Sequence, residues 1–367
     1  MSATDSVLNG PTRPAVRAGI VDADIHPTLR DRNALRPYLS KRWNDHLDSY
    51  GDPQNGPYAA RGAFPRYMPE VSRRDAWPPN GGPPGSDLAF MRLQHLDRND
   101  VEVGILEPLG MGHATRNLDL GGAVCAALND WQVAEFVEPE PRLRASVLVA
   151  QDDAATAVAE IDKRSADRSF AQVQMPSLTT EPLGHRRYRP ILEAAVHHGF
   201  PIGIHVGGAT GARTGSGWPS TYNEEHYALS HSMQAQITSL ILEGVCEALP
   251  GIRFIMIEGG CAWSISLGHR LDKLWERMRA EVPHCPHPPS HYIREHFYFS
   301  SQPVEEPEDP ADLLGIYEAI GWDRMLYASD YPHWDYDDPK YAFKAAIPED
   351  KKRMLMRENG RGLYRLA

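Results

Sequence analysis

Nothing in the 367 residues approaches the run of about 18 apolar residues that a membrane span needs. The N-terminus also lacks the apolar core of a signal peptide. Cysteine is scarce: Cys125, Cys246, Cys261 and Cys285 include no C-x-x-C pair and make no disulfide framework. A reducing cytoplasm is the expected compartment. Positive charge is in deficit, with 38 Lys and Arg against 49 Asp and Glu and a net charge of −11. An acidic chain without a basic run is not expected to bind nucleic acid. Common nucleophile and phosphate motifs are missing as well: G-x-S-x-G, the P-loop, H-E-x-x-H and G-x-G-x-x-G are all absent.

What is present is an alternation. Eight short apolar runs cover 18–25, 101–106, 144–150, 170–175, 201–206, 252–257, 297–300 and 325–328. Longer stretches with helical spacing lie between them, at 153–166, 188–198, 230–249, 262–280 and 312–320. Pro139, Pro141, Pro250 and Gly251 punctuate the helix ends. Short buried strands alternating with helices imply a parallel sheet, and eight such units imply an α/β fold of the (β/α)8 barrel type. A doubly wound open sheet is the structural alternative. Residues 1–16, without periodicity, read as a flexible N-terminal arm, and 17–367 as one barrel domain. The segment 27–87 breaks the alternation after the first strand. It is rich in Pro, Gly and aromatics (Trp43, Tyr50, Tyr58, Phe64, Tyr67, Trp77), which suggests a folded insertion that caps the barrel or meets a second subunit.

Polar residues gather at the ends of the runs. The first ends Val21-Asp22-Ala23-Asp24-Ile25-His26, and strand alternation puts Asp22, Asp24 and His26 on one face. With Val21, Ala23 and Ile25 toward the helices, those three point into the barrel. Buried carboxylates without Lys or Arg nearby call for a metal ion, or else for a capped turn bonded to backbone amides. His205 ends the fifth run, opposite Ile202, Ile204 and Val206. Glu258 ends the sixth, opposite Ile255 and Ile257, and Asp330 and His333 follow the eighth. Barrel active sites form at the C-terminal ends of strands, so the four ends converge on one mouth.

Asp24-x-His26, His205 and Ser329-Asp330-Tyr331-Pro332 resemble the amidohydrolase superfamily. Nearest is the amidohydrolase-related branch that includes aminocarboxymuconate semialdehyde decarboxylase and resorcylate decarboxylase. The resemblance runs from about Ile20 to the end. It implies a mononuclear site of Asp24, His26, His205 and Asp330, with Asp24 where relatives have His or Glu. Decarboxylases of the branch carry a proton-handling His after the sixth strand, where this chain has Glu258. That carboxylate could ligate the ion, move protons, or pair with Arg270. The loop 207–227 follows a ligand-bearing strand and offers Arg213, Trp218, Tyr222, Glu225 and His226. Arg213 and Tyr222 are substrate-binding candidates, with His333 and Trp334 at the same rim. His231, read as opening the next helix, joins Asp330 and Glu258 as a catalytic candidate.

The leading expectation is a hydrolase using a metal-activated water on a small organic substrate, carboxylated or cyclic. Asp330 would take a proton and Glu258 or His231 return one. The alternative is a metal-dependent decarboxylase (carboxy-lyase) of an aromatic or enol acid. A third reading is an inactive barrel serving as a binding subunit. Donors of mixed N and O type put zinc first, with Mn, Co or Fe as the other ions. The expected partners are a small-molecule substrate and a second copy of the chain in a homodimer or larger homo-oligomer.

Overall fold

The computed structural model describes residues 19–51, 69–109, 115–208, 217 and 219–366. The expected N-terminal arm, Arg213, Trp218 and the aromatics Tyr58, Phe64 and Tyr67 lie outside them. Eight parallel strands follow in order around one sheet. They are β1 (Ile20–Ile25), β2 (Val101–Leu106), β3 (Leu143–Leu148), β4 (Phe170–Leu178), β5 (Ile202–Gly208), β6 (Phe254–Ile257), β7 (Phe297–Ser300) and β8 (Met325–Leu326). Backbone bonds from Ala23 to Tyr327, Asp330 to Asp24 and His26 to Tyr331 join the last strand region to the first. The fold is a (β/α)8 barrel.

Helices between the strands keep their apolar faces on the sheet. Ala154–Arg164 is N-capped by Asp153, whose carboxylate accepts from Thr156 N–H. Arg189–His198 starts with Pro190 in its first turn and stops at the left-handed Gly199. Tyr222–Leu242 is closed by a capping box between Thr221 and Glu224. That cap starts this helix eight residues before the expected 230, because the capping signal, not the apolar period, sets the first turn.

Two apolar layers result. The larger lies between strands and helices and includes Ile25, Val147, Val173, Ile204, Met256 and Tyr327. The smaller joins Val21, Ala23, Ile105, Ala171, Ile257, Ala328 and Tyr364. Strands that distant around the ring meet only inside it, so this second layer fills the barrel interior.

The interior layer corrects the alternation argument for β1 and β6. Val21 and Ala23 face inward, not toward the helices. Asp22 instead accepts a bond from His95 at 2.7 Å, on the short helix Arg92–Leu96. A register irregularity between Asp22 and Ile25 then turns Asp24 and His26 inward and Ile25 outward. On β6, Ile255 and Ile257 are themselves interior, so alternation would aim Glu258 at the helices. Its left-handed backbone (φ 61°) turns it back to the mouth.

Within the insertion, Trp43 is buried, whereas Tyr50 is 80% and Trp77 43% exposed. Residues 71–73 lie against the barrel mouth: Ser72 forms a β-bridge to His333, and Trp334 N–H donates to Val71.

Candidate metal centre at the barrel mouth

Four strand ends supply the cluster. Asp24 and His26 come from the end of β1, His205 from β5, Glu258 from just past β6, and Asp330 and His333 from the segment after β8. Asp24, His26, His205 and Glu258 present donor atoms within 4.8 Å of one another, as do His26, Glu258, Asp330 and His333. His26 Nε2 stands 3.1 Å from Asp24 and 2.8 Å from Asp330. His205 Nε2 stands 3.1 Å from Glu258 and 3.8 Å from Asp24. His26 and His333 rings stack at 4.3 Å.

The backbone fixes both imidazoles. His26 Nδ1 is 2.6 Å from the Glu107 carbonyl, and His205 Nδ1 is 2.7 Å from the carbonyl of Val206. A carbonyl only accepts, so each Nδ1 carries the proton and each Nε2 of the neutral ring presents a lone pair. Asp24 Oδ1 and Oδ2, His26 Nε2 and His205 Nε2 are buried without a hydrogen-bond partner. Lone pairs converging at these distances repel unless a proton or a cation sits among them. Gly85 permits the approach: at φ 81° it lies against the His26 carbonyl, and a Cβ there would collide with that oxygen.

Electrostatics say the same. Burial pushes the His26 imidazole down, but Asp24 and Asp330 outweigh it and hold it well above its ordinary value. His205 is likewise raised, burial being outweighed by Glu258 and Asp24. Asp330 is held well above the usual carboxylate range by burial, then by Glu258 and Asp335. His333 is held well below its ordinary value by burial and by His26, His205 and His226, and its Nδ1 is 2.5 Å from Asp330. The cluster carries an excess of negative charge in a buried place, which a divalent cation would neutralise.

Of the sequence candidates, Asp24, His26, His205, Glu258, Asp330 and His333 lie together. Glu258 meets His205 and makes no bond to Arg270. Tyr222 stands at the rim, where its hydroxyl accepts from the Trp334 indole at 3.1 Å. His231 does not join them: it lies in mid-helix, exposed, beside the ring of Tyr227. The apolar period alone starts this helix at 230 and so puts His231 in its first turn, whereas the capping box starts it at Tyr222.

Sequence reasoning passed over three participants. Glu107, the residue after β2, is fully buried, bonded to Gln172 and, at 3.4 Å, to Ser146. Gln302 donates to Asp330 at 3.1 Å and to Asp335 at 3.2 Å. Asp335 pairs with His226 at 3.1 Å. Glu107 was legible, since it ends a strand as the other candidates do.

Residues 21–366 match the family model described as amidohydrolase. A search of curated proteins found no match. Among solved structures, the fold is shared with an amidohydrolase from Mycobacterium avium subsp. paratuberculosis K-10, at TM-score 0.72 and 20% identity over 95% of this chain and 100% of that one. It is shared with 2,6-dihydroxybenzoate decarboxylase from Rhizobium, at TM-score 0.67 and 18% identity over 95% and 99%. A third is 5-carboxyvanillate decarboxylase from Novosphingobium aromaticivorans DSM 12444, complexed with manganese and 4-hydroxy-3-methoxy-5-nitrobenzoic acid. Its TM-score is 0.70, with 16% identity over 97% and 98%.

Proposed function

The chain belongs to the amidohydrolase family, and from that premise we propose that it is a metal-dependent carboxy-lyase acting on an aromatic acid. The observation that carries the reading is the set of unpartnered lone pairs of Asp24, His26 and His205 at the barrel mouth, bordered by an aromatic wall. That wall consists of Tyr222, His226 and Trp334, with ring centroids 5.5–6.2 Å apart. Two of the structural relatives decarboxylate aromatic acids, and one of them is complexed with manganese. This reading displaces the hydrolase as the leading one.

Asp24, His26, His205 and Asp330 would hold the ion. Two imidazoles and two carboxylates without a thiolate make a hard donor set, which together with the relative's ion favours manganese over zinc. A divalent ion there would polarise the oxygens of a bound acid and stabilise the negative charge left on it. The carbonyls of Glu107 and Val206 keep His26 and His205 in one orientation, so the donors need no rearrangement. Tyr222 and Trp334 would hold the flat face of the ring. Gln302 fixes the Asp330 carboxylate from the side of β7.

Hydrolysis stands as the second reading on one observation. Glu258 puts a carboxylate where the decarboxylases have an imidazole, and it stands 3.1 Å from His205. The test is a panel of hydroxybenzoates and of cyclic amides and esters with the manganese-loaded chain, following CO2 and hydrolytic products separately. CO2 release from a hydroxybenzoate supports the carboxy-lyase; turnover confined to amides or esters refutes it.

We keep the cytoplasm as the proposed compartment, because all four cysteines are free and buried. No helix among the described residues is long and apolar enough to cross a membrane. A homodimer remains a proposal that rests on exposed Tyr50 and Trp77 of the insertion, and light scattering tests it.

A further inference from the structure

Of the titratable groups at the mouth outside the proposed ligand set, a histidine on the helix after β5 is held as proton-transfer groups are held. His226 lies in the second turn of the helix Tyr222–Leu242. Its Nε2 is 3.1 Å from the Asp335 carboxylate, and no described residue bonds its Nδ1. The side chains are 23% and 12% exposed, so the pair is shielded yet reached by solvent. Asp335 is itself fixed by Gln302, whose single amide nitrogen also donates to Asp330. One of the ring nitrogens lies within 4.8 Å of carboxylate oxygens of both Glu258 and Asp335. The dyad thus sits beside the candidate metal centre and within the aromatic wall.

We propose that His226, oriented by Asp335, delivers the proton to the ring carbon from which carbon dioxide leaves. The inference rests on the carboxy-lyase reading. The bond between ring carbon and carboxylate breaks, its electron pair stays on the ring carbon, and CO2 departs. His226 gives its Nδ1 proton to that carbon and takes another from solvent. The sum is one carboxylate and one proton giving one arene and CO2. Asp335 accepts from Nε2–H throughout, which keeps Nδ1 as the exchanging position and stabilises the charged ring.

The other imidazoles at the mouth and the Tyr222 phenol are less suited. His26 and His205 have Nδ1 committed to carbonyls and Nε2 to the ion cluster. His333 is committed to Asp330 and held neutral. The Tyr222 phenol is pushed up to about 12, chiefly by burial. For His226, burial acts downward, but the bond to Asp335 and the charges of Asp335, Glu258 and Glu225 raise it above its ordinary value. The described titratable groups facing it are Asp335 after β8, Glu258 after β6, Glu225 and Tyr222 on its own helix, and His333.

Two measurements on the full, metal-loaded chain test this. In the first, the zinc-loaded chain with 13C-labelled histidine is titrated by NMR, His226→Gln serving for assignment. His226 is expected to titrate above about 6.5, and Asp335→Asn to lower its midpoint by about one unit or more. A midpoint that Asp335→Asn leaves unmoved overturns the dyad. In the second, CO2 release is followed from 2,6-dihydroxybenzoate and 5-carboxyvanillate with manganese bound. His226→Gln should keep its metal while kcat falls about 100-fold or more. A donor must be protonated, so activity falls as pH rises through its pKa, and Asp335→Asn should move that alkaline limb to lower pH. Wild-type kcat in His226→Gln overturns the proposal. A wild-type chain that releases no CO2 from either acid overturns the carboxy-lyase reading, and with it the proton delivery, while the NMR titration separately decides whether the dyad exists.

Discussion

Replacing Glu107 by Gln should stabilise the metal-free protein in a pH-dependent way. Glu107 is wholly buried above the apolar interior layer, and its Oε2 has no hydrogen-bond partner. Burial pushes its carboxyl from 4.5 up to about 8; the nearby Asp24 adds to this while His205 and His26 oppose it. The fold therefore binds this proton more tightly than the unfolded chain. The contribution is fully present below about 4.5 and is lost as pH rises toward 8. At pH 7 the loss spans about 2.5 pH units at about 1.36 kcal/mol each, or about 3 kcal/mol. Gln keeps an acceptor for Gln172 and Ser146 but has no proton to lose. Glu107→Gln and wild type should thus differ little more near pH 4 than any constant packing term, and by about 3 kcal/mol more at pH 7. With about 2.1 cal/mol/K of unfolding entropy per residue, that is about 4 °C in a chain this long. Melting in EDTA at pH 4.5, 6, 7 and 8 reads it directly. With a divalent ion bound, its charge lowers the Glu107 carboxyl and the slope should shrink. A gap between variant and wild type that stays constant with pH in the metal-free protein would refute the reasoning.

Chelation should lower the melting temperature of the metal-loaded chain by about 4–5 °C, from about 3–4 kcal/mol of binding linkage at a few hundred times Kd; an unchanged melting temperature and no bound metal by elemental analysis would remove the metal centre. Asp22→Ala leaves buried His95 without its 2.7 Å partner and frees the Ser329 and Asp24 amides, so it should cost about 3–5 kcal/mol in urea unfolding. Gly85→Ala drives a Cβ into the His26 carbonyl at φ 81°; it should destabilise by more than about 2 kcal/mol and weaken manganese binding in calorimetric titration. Wild-type affinity in that variant would mean that His26 is not held from this side.

The strands were legible because their apolar runs are short and bounded. All eight appear within a few residues of where the sequence puts them, down to Phe297–Ser300. The cluster was legible as a set of strand ends, but the reason given for its direction was not. Side-chain parity is sound for His205, whose neighbours Ile202 and Ile204 do face the helices. For Asp24 it succeeds by accident. Val21 and Ala23, expected outside, are inside, and a bulge between Asp22 and Ile25 restores the outcome. Parity assumes an unbroken pleat, and a bulge leaves no mark in a six-residue strand.

The same break explains why the polar and apolar parts of the barrel interior coexist. Below it, Val21, Ala23, Ala171 and Ile257 need an uninterrupted interior row to pack with Tyr364. Above it, Asp24, Gln172 and Glu258 need the inward face immediately after that row. A regular strand cannot send two consecutive residues the same way. β1 solves this with its bulge, and β4 with a register shift opposite Ala145 and Ser146 that brings both Ala171 and Gln172 inward. β6 solves it with a left-handed residue, Glu258 itself. Left-handed backbone in a non-glycine residue costs about 1–2 kcal/mol, so it persists where surrounding contacts over-determine it. The Glu258 N–H donates to Ser300 at 3.0 Å and its carboxylate meets His205, which supplies two such contacts. The departures from regular strand geometry therefore fall at the boundary where the packed interior gives way to the donor cluster, and they are what aims Asp24 and Glu258 at it.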